Sequence, residues 1–258
     1  MNETPRTVVL LAGGRGTRMK SEMPKVLIPV CGRPMLQYAI DALRCAGVVK
    51  ICVVVGYKAD LVIERIGKAH DLEFAFQRAP LGTGDAVRAA SDFLKRLLES
   101  VPPTCRVPIF VTAGDAPLLQ SETIREMYEI WDKTQPACLI GSICVENPHG
   151  LGRILRDADG NFLAIVEEKD ATPDQRAIRE VNQSYYIFEA RSLMSALNEL
   201  RPNNAQSEYY LTDVPAILHS RGERVEVKPV LRPVEAISIN TPEELKRVEE
   251  TLRQLDVR

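Results

Sequence analysis

Short β-branched apolar runs alternate with longer stretches in which apolar residues recur every three or four positions, and the alternation continues through the first half of the chain. Residues 7–11, 49–55, 72–77 and 107–112 read as strands. Between the first two, Met35, Leu36, Ala39, Ile40 and Leu43 keep helical spacing, and Gly47 offers a carboxyl-terminal stop. Windows 86–98 and 121–131 repeat that pattern. Near-continuous apolar strands separated by amphipathic helices predict a parallel sheet assembled from βα units.

The second half changes character. Segments 153–156 and 162–167 flank Asp157-Ala158-Asp159-Gly160-Asn161, a turn cluster that predicts a hairpin and so adds antiparallel strands. A further strand is expected over 181–188, helices near 191–200 and 210–219, and a last strand near 235–239. Thr241-Pro242-Glu243-Glu244 spells a capping box with proline at the first helical position. The polar segment 170–179 reads as a mobile loop, and no internal repeat is visible.

Composition narrows the partners. The 258 residues suffice for one large α/β domain, and a net charge of -2 gives no overall attraction to nucleic acid or anionic membrane, so any bound anion must be gripped locally. Six scattered cysteines without a C-x-x-C pair predict neither a zinc site nor a disulfide framework. The apolar run 8–12 is too short for a signal or membrane segment, which makes a cytoplasmic protein the expectation. Aromatics at 5% and the lack of a basic stripe argue against a nucleic-acid interface.

Leu11-Ala12-Gly13-Gly14-Arg15-Gly16-Thr17-Arg18-Met19 is a glycine-rich turn directly after the first strand, the kind of loop whose N–H groups face phosphate oxygens. It lacks the Gly-Lys-Ser/Thr ending of a P-loop, and Met19 stands where the dinucleotide fingerprint needs glycine. Arg18 and Lys25 add two cations. Taken without its surroundings, the loop also suits a plain tight turn.

Together with Pro24-Lys25-Val26-Leu27 and Gly32-Arg33-Pro34-Met35-Leu36, that loop resembles the signature of sugar-nucleotide pyrophosphorylases, most closely the uridyltransferase domain of the bifunctional N-acetylglucosamine 1-phosphate uridyltransferase/glucosamine 1-phosphate acetyltransferases. The resemblance implies a Rossmann-like nucleotidyltransferase fold: a mixed, mostly parallel sheet with helices on both faces and a small antiparallel sugar-binding part. One domain over residues 1–258 is expected, because no hexapeptide repeats of an acetyltransferase half are visible after the capped terminal helix. Leu11, Ala12, Gly13, Gly14, Gly16, Thr17, Gln77, Gly82 and Thr83 fall at its nucleotide-binding positions, Gln77 being the residue that reads uracil. Arg18 and Lys25 fall at its catalytic positions. Gly152, Glu167, Asn182, Tyr210 and Thr212 fall at its sugar-contacting positions. Asp115, in Gly114-Asp115-Ala116-Pro117-Leu118, and Asn240 fall at its Mg²⁺ ligands. Local readings stay open beside these: Thr83 and Asp115 also suit helix caps, Gly152 a turn, and Asn240 an ordinary turn residue before Thr241.

The resemblance implies that UTP and N-acetylglucosamine 1-phosphate are joined at Mg²⁺ with release of pyrophosphate. Pro80, Asp85, Ala113 and the pair Gln183-Ser184 depart from the family pattern, which expects glutamine, histidine, tyrosine and Thr-Gly there. Ala113 and Ser184 fall near the sugar, so pyrophosphorylases for UDP-N-acetylgalactosamine, UDP-glucose or dTDP-glucose, and a non-catalytic sugar-nucleotide-binding regulator, are the alternatives. A homo-oligomer is compatible with the sequence.

Overall fold

A computed structural model describes residues 5–16, 19, 21–237, 239 and 241–256. The chain runs through β1 (Thr7–Ala12), a 3₁₀ turn (Lys25–Leu27), the short pair β2 (Pro29–Val30) and β3 (Arg33–Pro34), α1 (Met35–Cys45), β4 (Lys50–Val55), α2 (Ala59–Ile66), β5 (Leu72–Phe76), α3 (Thr83–Ala89), α4 (Ser91–Glu99), β6 (Pro108–Ala113) and α5 (Ser121–Thr134). There follow β7 (Cys138–Cys144), β8 (Gly152–Arg156), β9 (Phe162–Val166), α6 (Pro173–Arg176), β10 (Glu180–Glu189), α7 (Ala190–Leu197), a 3₁₀ turn (Leu211–Asp213), α8 (Val214–Ser220), β11 (Val225–Lys228), a 3₁₀ turn (Pro233–Ala236) and α9 (Pro242–Asp256).

The main sheet has the order β11-β7-β10-β6-β1-β4-β5. Its strands are parallel except β10, which runs against both neighbours, and the β8–β9 hairpin attaches to the beginning of β10. Side chains alternate across the pleat. Val9, Val54, Val111, Tyr186 and Phe188 meet α3, α4, α7 and α8 on one face, whereas Leu10, Val53, Phe110 and Ile187 meet α1 and α5 on the other. Helices therefore cover both faces, as the resemblance implies. A third apolar cluster seats α9 on the β2–β3 pair through Val30, Met35, Val248 and Leu252.

The reversal of β10 matters most for function. Parallel strands β1, β4 and β6 end at one edge of the sheet, and because β10 is antiparallel its first residues arrive at that same edge. Ligands in open α/β sheets bind outside the carboxyl ends of the strands.

Several local expectations are corrected. The window 86–98 holds two helices, α3 and α4, because the Ser91 hydroxyl donates to the Arg88 carbonyl and breaks the ladder at Ala90. The helix expected over 191–200 ends at Leu197, and the one over 210–219 opens as a 3₁₀ turn before α8. Of the expected strand over 235–239, Ile237 and Ile239 form no strand, Ser238 lies outside the described residues, and Glu235 and Ala236 belong instead to the turn Pro233–Ala236. There the buried Glu235 carboxylate accepts from Thr123 Oγ1 (2.7 Å), Gln120 N (3.0 Å) and Arg232 N (2.9 Å), which draws the segment away from extended pairing. Segment 170–179, read as a mobile loop, carries α6 with a complete Thr172/Gln175 capping box. The box at Thr241 and Glu244 forms as expected, with reciprocal bonds of 3.0 and 3.2 Å. All six cysteines are free. Among the described residues no helix is long and apolar enough to cross a membrane.

Candidate active site

Three backbone bonds weld the strand ends together: Tyr57 N donates to Gly13 O (3.1 Å), Gln77 N to Val55 O (2.8 Å) and Gly114 N to Leu11 O (2.8 Å). The glycine turn after β1, Gln77 after β5 and Asp115 after β6 are thereby fixed along one edge. Lys25 reaches the same edge from its 3₁₀ turn, which is anchored by the buried Val26 and Leu27. Gly16 takes φ +72°, and a Cβ there would come 2.6 Å from Lys25 Cβ, so only glycine lets the turn pack on the lysine stem.

Lys25 Nζ donates to Asp115 Oδ2 at 2.5 Å, 90 residues apart in sequence. The pair is half-shielded, with side-chain exposures of 14% and 29%. It lies where two cavities meet. The first, of about 300 Å³, is walled by Leu11, Gly13, Gly14, Gln77, Gly82 and Thr83. The second, of about 270 Å³, takes in Gly152 and Asn182, and both share Lys25, Asp115, Glu167, Ala113 and Ser184.

The Leu81–Gly84 loop closes the first cavity by pairing with the segment before α8. Tyr209 N donates to Leu81 O (2.7 Å), Gly84 N to Tyr209 O (2.8 Å) and Leu211 N to Thr83 Oγ1 (2.9 Å). Gly82 has φ +113°, and a Cβ there would lie 2.5 Å from Tyr209 O, so the pairing demands glycine. Thr83 does not cap α3 with its side chain. Nor does Asp115 begin a helix, since α5 starts at Ser121 with Gln120 in the capping position. The capping alternatives for both residues are therefore set aside.

On the other side, Thr212 Oγ1 donates to Glu167 Oε1 at 3.1 Å. Tyr210 stands in a neighbouring opening with Glu167, its hydroxyl accepting from Gln206 Nε2 at 2.9 Å. Burial is the main reason the Glu167 carboxyl titrates above its ordinary value of 4.5, Asp170 and Asp213 adding to the rise and the Thr212 bond opposing it. The folded chain thus holds this proton more tightly than the unfolded chain. The cost of ionisation is absent below about pH 4.5 and fully present above the folded pKa. Glu167→Gln is accordingly expected to raise the melting temperature by about 2 °C at pH 7.5, with the gain vanishing near pH 4. Melting curves at the two pH values check this, and an equal shift at both would contradict it.

β10 is irregular where it enters the site. Its register with β7 breaks between Asn182 and Tyr185, and Ser184 adopts φ +59°, a left-handed conformation that is costly for a residue with a side chain. Ser184 N donates to Asn182 Oδ1 at 3.3 Å. Tyr186, wholly buried and facing the first cavity, has a hydroxyl near Asn182 and Ser184 without a well-formed bond to either.

Of the residues expected at the site, Leu11, Gly13, Gly14, Lys25, Gln77, Gly82, Thr83, Asp115, Gly152, Glu167, Asn182 and Thr212 line the joined cavities, with Tyr210 in the adjoining opening. Ala12 is buried behind the turn, and Gly16 supports Lys25. Thr17, Arg18 and Asn240 lie outside the described residues. Tyr186 and Glu208 also line the first cavity, and the sequence reading gave neither of them a role. Among the described residues no cluster of three or more His, Cys, Asp or Glu side chains could hold a metal ion. A hard divalent cation bound largely by substrate phosphates needs only one or two protein oxygens, and the Asp115 carboxylate, open to both cavities and already facing a cation, fits that demand.

The glycine turn, the Lys25–Asp115 pair and the two joined cavities gather at the carboxyl ends of the strands. The model of the MobA-like NTP transferase domain matches residues 8–208, and the chain belongs to that family. Among curated proteins it is 39% identical over 246 residues to the bifunctional protein GlmU of Geobacter metallireducens, covering 95% of this chain and 50% of that protein. It is 42% identical over 247 residues to GlmU of Pelotomaculum thermopropionicum, covering 95% and 52%. The chain thus spans about half the length of the curated relatives it matches. A solved UDP-glucose pyrophosphorylase in complex with UDP-glucose shares the fold with a TM-score of 0.74 at 15% identity, over 97% of this chain and 99% of that one.

Proposed function

We propose that this chain joins UTP to N-acetylglucosamine 1-phosphate, giving UDP-N-acetylglucosamine and pyrophosphate, as a single cytoplasmic nucleotidyltransferase domain. The observation that carries the reading is the Lys25–Asp115 pair at the junction of two cavities, one bordered by the glycine turn and the other by Gly152, Glu167 and Asn182. A reaction between two polyanions needs its cationic residues where the substrates meet.

In the proposed reaction an oxygen of the sugar phosphate attacks the α-phosphorus of UTP, and the bond from that phosphorus to the bridging oxygen breaks. The electron pair leaves with pyrophosphate. The attacking oxygen is already an anion, so no general base is required. Two unit charges 4 Å apart repel by about 4 kcal/mol at an effective dielectric of about 20, and neutralisation is therefore the main task of the protein. Lys25 is assigned to the charge that develops at the reacting phosphates. Turn residues Leu11 to Gly14, Gly16 and Thr17, with Arg18, are assigned to the phosphates that leave. Gln77, Gly82 and Thr83 are assigned to the uridine, and Gly152, Glu167, Asn182, Tyr210 and Thr212 to the sugar. Asp115 and Asn240 would hold Mg²⁺, which supplies Lewis-acid neutralisation of the phosphates when bound.

Ala113 and Ser184, both in the shared wall of the two cavities, favour a second reading in which another amino sugar or hexose 1-phosphate is the preferred acceptor. Initial rates of pyrophosphate release with UTP and, in turn, N-acetylglucosamine, N-acetylgalactosamine and glucose 1-phosphates distinguish the two. The first sugar is expected to give the highest kcat/KM. A higher value for another sugar moves the substrate and keeps the chemistry, while no release with any sugar phosphate or triphosphate removes the reading.

A further inference from the structure

The Gln77 side chain is held in one orientation. Its amide nitrogen donates to Gly82 O at 3.0 Å and to Asp85 Oδ2 at 2.9 Å, which uses both of its N–H groups. The two ends of a glutamine amide are alike in shape, and hydrogen-bond partners decide between them. Here a carbonyl and a carboxylate, neither of which can donate, both face the same end. The amide oxygen is left on the cavity side, over Gly13, where a Cβ would lie 3.0 Å from it. Among the described residues that oxygen accepts no hydrogen bond.

We propose that Asp85 is a positioning residue that sets base specificity, holding Gln77 so that it presents only an acceptor to the nucleotide. This rests on the reading of the first cavity as a nucleotide pocket. An acceptor at that spot pairs with the N3–H of a uracil or thymine ring. Cytosine carries an unprotonated N3, itself an acceptor, so the two lone pairs would oppose each other. A mismatch of this kind, with a buried polar group left unpaired, reduces affinity about 10–100-fold. Gln77 alone does not supply the discrimination, because a freely turning amide offers a donor as readily as an acceptor. The carboxylate of Asp85, in the first turn of α3, removes that freedom. Gly82 O alone leaves one of the two N–H groups unheld.

Titration of the whole chain with UDP and with CDP in the presence of Mg²⁺ tests the proposal by binding, independently of turnover. The unaltered protein is expected to bind UDP at least about 10-fold more tightly than CDP. Asp85→Ala should bring the two within about 3-fold, mainly by weakening UDP. Asp85→Asn, whose side-chain carbonyl can still accept from Gln77, should restore most of the preference, an outcome that mere packing does not predict. Asp85→Ser, too short to reach the amide, carries the same expectation as alanine and serves if the alanine variant melts early. An unchanged UDP:CDP ratio in both the alanine and serine variants overturns the assignment, as does an unaltered protein that prefers CDP or shows no preference. A UDP preference that collapses in Asp85→Ala, found together with no transfer to any sugar phosphate, leaves the inference standing and removes the proposed reaction instead.

Discussion

Lys25→Ala is expected to lower turnover about 10²–10³-fold while changing the KM for UTP little, because the lysine acts on charge that grows during the reaction rather than on the bound substrate. The site makes this lysine effective in two ways. Its stem is fixed against Gly16, and its side chain is only 14% exposed at the point where the cavities join. Partial exclusion of water strengthens its field, and fixation removes the cost of reorienting it. Lys25→Arg is expected to rescue poorly, since a guanidinium fork fills more space than the compact ammonium that meets Asp115. Steady-state kinetics of the two variants provide the check. Unchanged turnover in the alanine variant would remove Lys25 from the chemistry.

Asp115→Ala is expected to reduce activity by at least about 10³-fold and to abolish its response to added Mg²⁺. The same substitution should leave the melting temperature within about 2 °C of the starting value, because Asp115 caps no helix and Lys25, its ion-pair partner among the described residues, is half-shielded rather than buried. Asp115→Asn keeps the shape and loses the charge, so it should be nearly as inactive. A Mg²⁺ titration of initial rates for both variants decides the matter. Full activity of either at ordinary Mg²⁺ concentrations would show that the carboxylate has no catalytic part.

The sheet was legible wherever a strand is a continuous apolar run, as in β1, β4 and β6, and the helices wherever one face is plainly apolar, as in α1 and α5. α2, β7 and β11 escaped notice for physical reasons. α2 buries only Val62 fully, so its stripe is faint. β7 contains Gly141 and Ser142, which interrupt the β-branched signal although the strand is buried almost throughout. β11 is a four-residue edge strand. The turn at 233–236 depends on a buried Glu235 whose partners, Gln120 and Thr123, lie more than a hundred residues away. No local pattern could announce it.

The site divides in the same manner. Its glycine turns and the Asp after β6 were readable because each sits at a strand end, within a few residues of its own signal. What joins them is long-range: Lys25 with Asp115, Thr212 with Glu167, and Tyr209 with both ends of the Leu81–Gly84 loop. Asp85 shows the limit most clearly. In sequence it was only a departure from an expected histidine, and in the structure it holds the side chain of Gln77.

Phosphorus NMR of the purified chain mixed with UTP, N-acetylglucosamine 1-phosphate and Mg²⁺ tests the central claim of nucleotidyl transfer most directly. Equal amounts of pyrophosphate and a sugar-linked diphosphate should appear, and neither should form when either substrate is omitted. Pyrophosphate formed from UTP without the sugar phosphate, or no new signal with any sugar phosphate supplied, would contradict the account.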